Sequence, residues 1–385
     1  MKKTIRRYTM HTVTSGADHL PLQLLKGRRV GLMTTPTGID HAFRSTIDLL
    51  SASCQLTALF AVEHGIRGDV QAGGTVEDTV DSVTGIPVFS AFGSHSHFSQ
   101  DMLDAFDVLV FDIQDVGARF YTYIYSMAYA MESCASAGKS VVILDRINPL
   151  GGLVRSGTVL EDGFSSFVGD YALPTRYGLT EGELALYIRD RLHLDLDLTI
   201  VPLEGWERSM LLPDTDLPWV PTSPNCTDFT TAMCYIGTCV FEGTNISEGR
   251  GTTLPFQVIG APFLDAIRLA NTMNAMEFPG IHFRPCSFTP SFSKHKGQLC
   301  HGVQMHLLRR DIDTFLAGLC LLDAVREQAG EQFAFISSEH GPFFLDLLLG
   351  SDRYRRGMNA REIEAFYRPQ VDVFSEKIQP YLLYR

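Results

Sequence analysis

With 385 residues, 45% of them hydrophobic and 20% charged, the chain is longer than one ordinary core and has the balance of a globular protein, so two domains are expected. A formal net charge of −12 excludes the basic footprint that nucleic acid demands, but permits a small neutral or anionic ligand met by local arginines. The eight cysteines form no Cys-x-x-Cys and read as buried thiols in a reducing compartment. The basic start is followed by no apolar run, and no window approaches the length of a membrane span. A cytoplasmic location with no membrane partner is the expectation.

Residues 1–20 are polar. Residues 28–34 predict a first strand, Thr35-Pro36-Thr37-Gly38 a turn off its end, and 45–52 a helix. The apolar run 56–62 predicts a buried parallel strand that stops abruptly at Glu63, His64 and Gly65. In open α/β sheets ligands bind at the carboxyl ends of strands, and a Glu-His pair is costly to place in a core. Glu63 is therefore the leading catalytic candidate, beside a bland reading in which it ties down its own loop through backbone N–H groups. Residues 64–86 are glycine-rich and unpatterned, and carry Arg67, Asp69, Glu77, Asp78 and Asp81. Loops of that length are usually functional or disordered, and a functional loop is expected here.

Residues 87–90 predict a short strand and 107–113 a strong buried one. Its end runs through Gln114 and Asp115 to Arg119, Tyr121 and Tyr123, entering a helix that reaches about residue 137. Residues 140–144 predict another buried strand, ending at Asp145-Arg146-Ile147-Asn148. Strand–helix alternation with polar loops at each strand exit predicts the α/β class with a doubly wound parallel sheet. Four strands end in polar clusters, at Thr34-Thr35, Glu63-His64, Asp112 with Asp115, and Asp145-Arg146. A parallel sheet brings all four to one edge, a stronger pointer to a site than any single residue.

Thr180-Glu181-Gly182-Glu183 is a capping box opening a helix to residue 191, which makes Glu183 structural and leaves Glu181 open. Residues 198–203 predict a strand. The loop-like stretch 205–230 holds Trp206 and Trp219, which suit stacking on a sugar or base face and equally suit anchoring the loop. Residues 237–262 carry Glu242, Thr244, Glu248 and Arg250 among glycines, a poor core and a good ligand loop. From about residue 263 the pattern changes: a helix over 264–276, strands over 281–284 and 302–308, and a helix over 312–328. The expected division is 20–265 for the parallel-sheet domain and 266–385 for a smaller α/β domain.

No G-x-G-x-x-G, H-E-x-x-H or G-x-S-x-G occurs, so no nucleotide cofactor or zinc is expected. Gly138-Lys139-Ser140 has Ser133 where a P-loop begins with glycine, and it precedes a strand. His95-Ser96-His97 lacks nearby carboxylates, and no metal spacing supports a hydrolase built on Asp112, Asp115 and His64. A second Glu-His-Gly, at Glu339-His340-Gly341, precedes an ordinary helix-like run and reads as chance. Carboxylates on glycine-rich loops with arginines and aromatics remain. They suit sugar chemistry, where one acid protonates a leaving oxygen and another stabilises or activates the attack. They suit a non-enzymatic sugar or anion binder as well.

Several long motifs bear a resemblance. They are Val30-Gly31-Leu32 with Pro36-Thr37-Gly38, Glu63-His64-Gly65 through Arg67-Gly68, Ala72-Gly73, and Asp112-Ile113-Gln114-Asp115-Val116-Gly117. Arg119 to Tyr123, Asp145 to Pro149, Ser223-Pro224-Asn225, Phe241 to Asn245, Ser247 to Thr253, Phe292-Ser293-Lys294 and Gly302-Val303-Gln304 continue it. Across nearly its whole length the chain resembles the exo-β-N-acetylmuramidases (NamZ-like, glycoside hydrolase family 171), long catalogued as a domain of unknown function. The resemblance implies a Rossmann-like domain, a smaller α/β domain and an active-site cleft between them. It implies release of N-acetylmuramic acid from the non-reducing end of peptidoglycan-derived glycans, so peptidoglycan fragments are the expected partners. It places the catalytic glutamate at Glu63.

Beside that carry-over, the second carboxylate is expected to be Glu248 or Glu242, with Asp115 third. Arg67, Arg119 and Arg250 are candidates to meet the lactyl carboxylate, which a guanidinium binds bidentately. Tyr121, Tyr123 and Asn225 are candidates for sugar hydroxyls or the acetamido group, and His64, Asn148 and Thr244 complete the expected contacts. Many members have proline before the glutamate, where this chain has Val62, so the loop is less preset. The lack of a leader, which extracytoplasmic members carry, points to recycling of imported wall fragments in the cytoplasm. The competing reading is a non-catalytic muropeptide-binding or regulatory protein. Burial at the strand end is expected to raise the pKa of Glu63.

Overall fold

The computed structural model describes residues 10–67, 78–91, 97–310, 312–337 and 341–385. In chain order the strands are β1 (Arg29–Thr34), β2 (Gln55–Ala61), β3 (Thr79–Val80), β4 (Pro87–Ser90), β5 (Val108–Asp112), β6 (Ser140–Leu144), β7 (Ser156–Val159), β8 (Pro174–Arg176), β9 (Leu198–Val201), β10 (Val258–Ala261), β11 (Ile281–Phe288) and β12 (Cys300–Leu307). Side chains alternate across a strand, so a near-continuous apolar run requires cover on both faces. Along β5, Val108 and Val110 join Val30, Leu32, Leu59, Val142 and Leu144 on one face. Leu109 and Phe111 join Met33, Phe60 and Ile143 on the other.

The main sheet has the order β3-β4-β2-β1-β5-β6-β9, and β3 alone runs antiparallel to its neighbour. The six parallel strands thus lie third, second, first, fourth, fifth and sixth in chain order, the Rossmann-like arrangement, with the reversal between β1 and β5. The helix Thr46–Ser53 starts at Ser45, whose hydroxyl accepts the Ile47 N–H. The helix Glu181–Arg191 begins with the expected capping box between Thr180 and Glu183.

A second, antiparallel sheet has the order β10-β12-β11. It takes β10 from before residue 265. The helix Phe229–Thr238, which bridges the stretches 205–230 and 237–262 that read as loops, packs on the helix Phe315–Ala329. Their backbones touch: a Cβ on Gly318 would lie 2.0 Å from the Gly237 carbonyl oxygen, so only glycine permits this crossing. One apolar cluster runs from Phe60 and Phe111 through Tyr235 and Phe256 to Phe283, Leu321 and Tyr367, joining both sheets. The final helix, Ala360–Lys377, buries Ile363, Tyr367, Val371 and Phe374, spaced one helical turn apart. Among the described residues no helix is long and apolar enough to cross a membrane.

Candidate active site

The polar strand ends close the sheet edge more than they open it. Asp112 is fully buried, takes the Thr46 hydroxyl, and pairs with Arg146 Nε at 2.6 Å. Arg146 also donates to the Ile39 carbonyl at 2.8 Å. Asp145, also fully buried, accepts the Gly182 N–H and the Thr180 hydroxyl at 2.8 Å, and the Tyr384 hydroxyl at 2.6 Å. It therefore receives the N-terminus of the helix Glu181–Arg191. Thr34 donates to the Asp112 carbonyl at 2.8 Å. The shared edge is thus a scaffold, and Glu63, beyond β2, is its half-buried carboxylate.

Three expected site residues belong to that scaffold. Asp115 is 2% exposed, accepts the Tyr177 hydroxyl and the Gly117 N–H, and its own N–H donates to Glu181 Oε1 at 2.6 Å. Arg119 is completely buried and donates to the carbonyls of Thr158, Leu173 and Leu348, at 3.1, 3.2 and 2.7 Å. Its guanidinium straps three segments together and is not presented to a ligand. Asn148 shapes a turn, donating to the Leu179 carbonyl at 2.9 Å and accepting the Leu150 N–H at 3.0 Å.

Burial pushes Asp115 up to about 7, against the opposing bonds from Tyr177 and Gly117. Asp145 rises to about 7 for the same reason, and Glu181 is driven well up by burial and by its two acidic neighbours. An acid whose pKa rises on folding binds protons more tightly in the folded state, so its contribution to stability falls as pH climbs from about 4 to about 7. Asp115→Asn removes one such proton linkage while keeping an oxygen acceptor. We expect the variant to gain about 1–2 kcal/mol on the wild type between pH 4.5 and pH 7.5 in urea unfolding. An unchanged difference at the two pH values would show that Asp115 is not proton-linked.

Other expected contacts are also committed within the fold. The Tyr121 and Tyr123 hydroxyls donate to Thr222, at 2.8 Å to Oγ1 and 2.5 Å to the carbonyl. Arg67 holds Asp81 through three bonds of 3.2, 2.9 and 3.1 Å, and Asp78 accepts the Ser90 N–H. Trp206 is buried against Tyr384, and Trp219 donates to the Cys226 carbonyl, so both anchor their loop. His97 lies 3.8 Å from Glu132. Gly68, Asp69, Ala72, Gly73, Glu77, His95, Ser96, Glu339 and His340 lie outside the described residues.

Glu63 accepts the Thr122 hydroxyl at 2.7 Å on Oε2, which fixes the carboxyl at the start of the helix Tyr123–Ser136. His64 is buried, with its ring edge-on to Tyr123 at 6.3 Å. From Tyr123 a ladder of edge-to-face rings leads through Tyr121, Tyr235 and Phe256 at centroid spacings of 5.0, 6.1 and 4.7 Å. The Arg250 guanidinium sits 5.0 Å over the last ring.

At that end a cavity of about 680 Å³ is lined by Asn225, Glu242, Glu248, Arg250, Phe292, Ser293, Lys294 and Phe344. The helix Phe229–Thr238, capped by Asp228, runs directly into a 3-10 turn, Cys239–Gly243, that delivers Glu242. Buried Thr244 closes the turn by donating to the Phe241 carbonyl at 2.9 Å. Ser247 exchanges two backbone bonds of 2.9 and 3.0 Å with Gly260 of β10, which fixes Glu248 beside the second sheet. Gly251 lets the 291–295 loop approach, because a Cβ there would lie 2.6 Å from the Phe292 carbonyl oxygen.

The acids and cations of the cavity interlock. Arg250 donates twice to Glu242 Oε1, at 2.9 and 2.7 Å, and stands 3.5 Å from Glu248 Oε1. Lys294 Nζ is 2.7 Å from Glu248 Oε2. Burial pulls the Arg250 pKa down, but Glu242 and Glu248 outweigh it and raise the group above its ordinary value. Asn225, Glu242, Glu248 and Arg250 of the expected site thus come together, whereas Glu63 is not among the residues lining this cavity. Phe292, Ser293, Lys294 and Phe344 were not expected as contacts. Phe292, 44% exposed between polar neighbours, carries the signal of a ligand-facing ring. Phe344 falls in an apolar run, and its pattern reads as core.

Two acids held against two cations beside aromatic faces, on a Rossmann-like scaffold, are an arrangement that suits a carbohydrate-active α/β protein. The family model described as exo-beta-N-acetylmuramidase NamZ, N-terminal, matches residues 30–230, and its C-terminal counterpart matches residues 233–384. The chain belongs to the exo-β-N-acetylmuramidase family. It is 44% identical over 367 residues to the peptidoglycan beta-N-acetylmuramidase NamZ of Bacillus subtilis (strain 168), covering 94% of this chain and 88% of that protein. Crystal structures of two DUF1343 family proteins from Bacteroides fragilis NCTC 9343 are similar. One has a TM-score of 0.87 at 35% identity and the other 0.77 at 32%, each comparison covering 97% of this chain and 99% of the other.

Proposed function

We propose that the chain is an exo-acting glycosidase that releases N-acetylmuramic acid from the non-reducing end of peptidoglycan-derived glycans. The observation that carries this reading is the match to the B. subtilis enzyme along 94% of the chain. The bond broken joins C1 of the terminal muramyl residue to O4 of the next sugar, and water supplies the new C1 hydroxyl. Glu63 is the general acid that gives O4 its proton, the role implied by the Glu-His-Gly motif. Glu248 is the second carboxylate, acting on the opposite side of C1 as base or nucleophile. Its place in the cavity beside Arg250 and Lys294 supports it over Glu242, whose Oε1 takes two bonds from Arg250. Arg250 is the residue that meets the lactyl carboxylate, Asn225 meets the sugar's polar groups, and Phe292 offers a ring face.

Turnover of wall fragments within the cytoplasm belongs to the same proposal. It is supported by eight cysteines that all remain free thiols, as a reducing compartment keeps them. The pairing of β10 with β12 supports a domain change-over earlier than residue 265, near 230–233, where the two family models meet.

The test is chromatography of products after incubation with N-acetylmuramyl-(β1,4)-N-acetylglucosamine. Equal amounts of the two monosaccharides are expected, and none from the disaccharide with the sugars in reverse order. A protein that binds the disaccharide and releases nothing would replace this reading with that of a muropeptide-binding protein.

A further inference from the structure

Lys294 is held more tightly than a cavity-lining lysine needs to be. Its ammonium donates to three carbonyls of one loop, those of Phe241, Thr244 and Ile246, at 2.7, 2.9 and 2.9 Å. An ammonium has three protons, and three carbonyls take them all. Glu248 Oε2 nevertheless lies 2.7 Å from Nζ, buried and outside hydrogen-bonding geometry. The contact is therefore coulombic: charge neutralises charge with no proton directed at the carboxylate. The backbone around Lys294 is also constrained. Ser293 and His295 adopt left-handed conformations, with φ of 66° and 55°, uncommon for residues with a side chain. His295 is fastened by its ring to the Asn245 carbonyl at 2.7 Å, in the same loop that Lys294 holds.

We propose that Lys294 is a positioning residue for the reaction. Building on the role given above to Glu248, it balances the charge at Oε2 and turns Oε1, 3.5 Å from Arg250 Nε, toward the cavity as the reacting oxygen. Because Oε2 is buried against the ammonium, the lone pairs of Oε1 are the ones left to meet water or C1. Glutamate, carbonyl cradle and ammonium act as one unit, and the ammonium is its charged centre.

Lys294→Ala and Lys294→Gln test this with the muramyl disaccharide, alongside circular dichroism and thermal unfolding. The alanine variant is expected to lose about 10- to 100-fold in kcat with KM within about threefold, the pattern of a misplaced reacting group. Methylamine, which refills the vacated ammonium site, is expected to restore turnover saturably, while ethanol, which is small but neutral, restores none. Should the alanine variant not fold, the glutamine variant keeps amide donors for the carbonyl cradle without the charge, and the same loss in kcat is expected. Full activity in a folded variant overturns the proposal, as does a loss that methylamine and ethanol restore alike. No release of sugar by the wild type would overturn the glycosidase reading itself, and this inference with it. An active wild type with unaffected Lys294 variants would overturn the inference alone.

Discussion

Glu63→Gln is expected to abolish nearly all release of N-acetylmuramic acid while leaving the disaccharide bound. The amide has the shape of the acid and still offers an oxygen to the Thr122 hydroxyl, which donates to Oε2 at 2.7 Å in the wild type. It cannot give a proton to the leaving O4. Removing a general acid costs about 10²- to 10⁴-fold in rate. The loss should fall on kcat, with KM changed little, because Thr122 and the surrounding loop are unaltered. Substrates with an activated aryl leaving group need less protonation, so the variant's deficit on an aryl muramide should shrink markedly. A Glu63→Gln protein as slow on the aryl substrate as on the disaccharide would show that Glu63 acts elsewhere in the reaction. One with wild-type turnover on both would move the acid to another residue.

Glu248→Gln is expected to be nearly as damaging for a different reason. The side chain is 1% exposed and faces Lys294 at 2.7 Å and Arg250 at 3.5 Å. In the proposed mechanism the amide lacks the negative charge needed to activate water or attack C1, and a loss of about 10²- to 10⁴-fold is expected on natural and activated substrates alike. That insensitivity to the leaving group separates Glu248 from Glu63 in a single experiment. The change also leaves the ammonium of half-buried Lys294 without its counter-charge, so unfolding should be easier by about 1–3 kcal/mol. Kinetics must therefore be read at a temperature where circular dichroism shows the variant folded. Retention of activity would transfer the second carboxylate to Glu242, whose Oε1 already accepts Arg250.

Reading along the chain finds features whose causes are local and stops where partners are distant. The apolar runs of β2, β5 and β6 are buried on both faces, and such a strand advertises itself through composition alone, without knowledge of its neighbours. The capping box at Thr180 is equally local, because its two partners are three residues apart. The same holds for the glycine-rich loop of Glu242, Glu248 and Arg250, whose ion pairs span eight residues or fewer. What a polar residue at a strand end does is not local. Asp112 is neutralised by Arg146 across 34 residues, Asp145 is met by Tyr384 across 239, and Arg119 reaches the Leu348 carbonyl across 229.

By itself the sequence determined the α/β class, the order of the parallel strands along the chain, the family, and the loop from which Glu248 and Arg250 come. Those features rest on periodicity and short-range spacing. Only the tertiary structure decided that Asp115, Arg119 and Asn148 stay inside the scaffold, and that Phe292 and Lys294 from a distant loop and Phe344 from the start of the helix Phe344–Leu349 line the cavity. A buried polar group must find partners wherever the fold brings them, and the identity of those partners separates a carboxylate that holds the sheet together from one left to face a substrate.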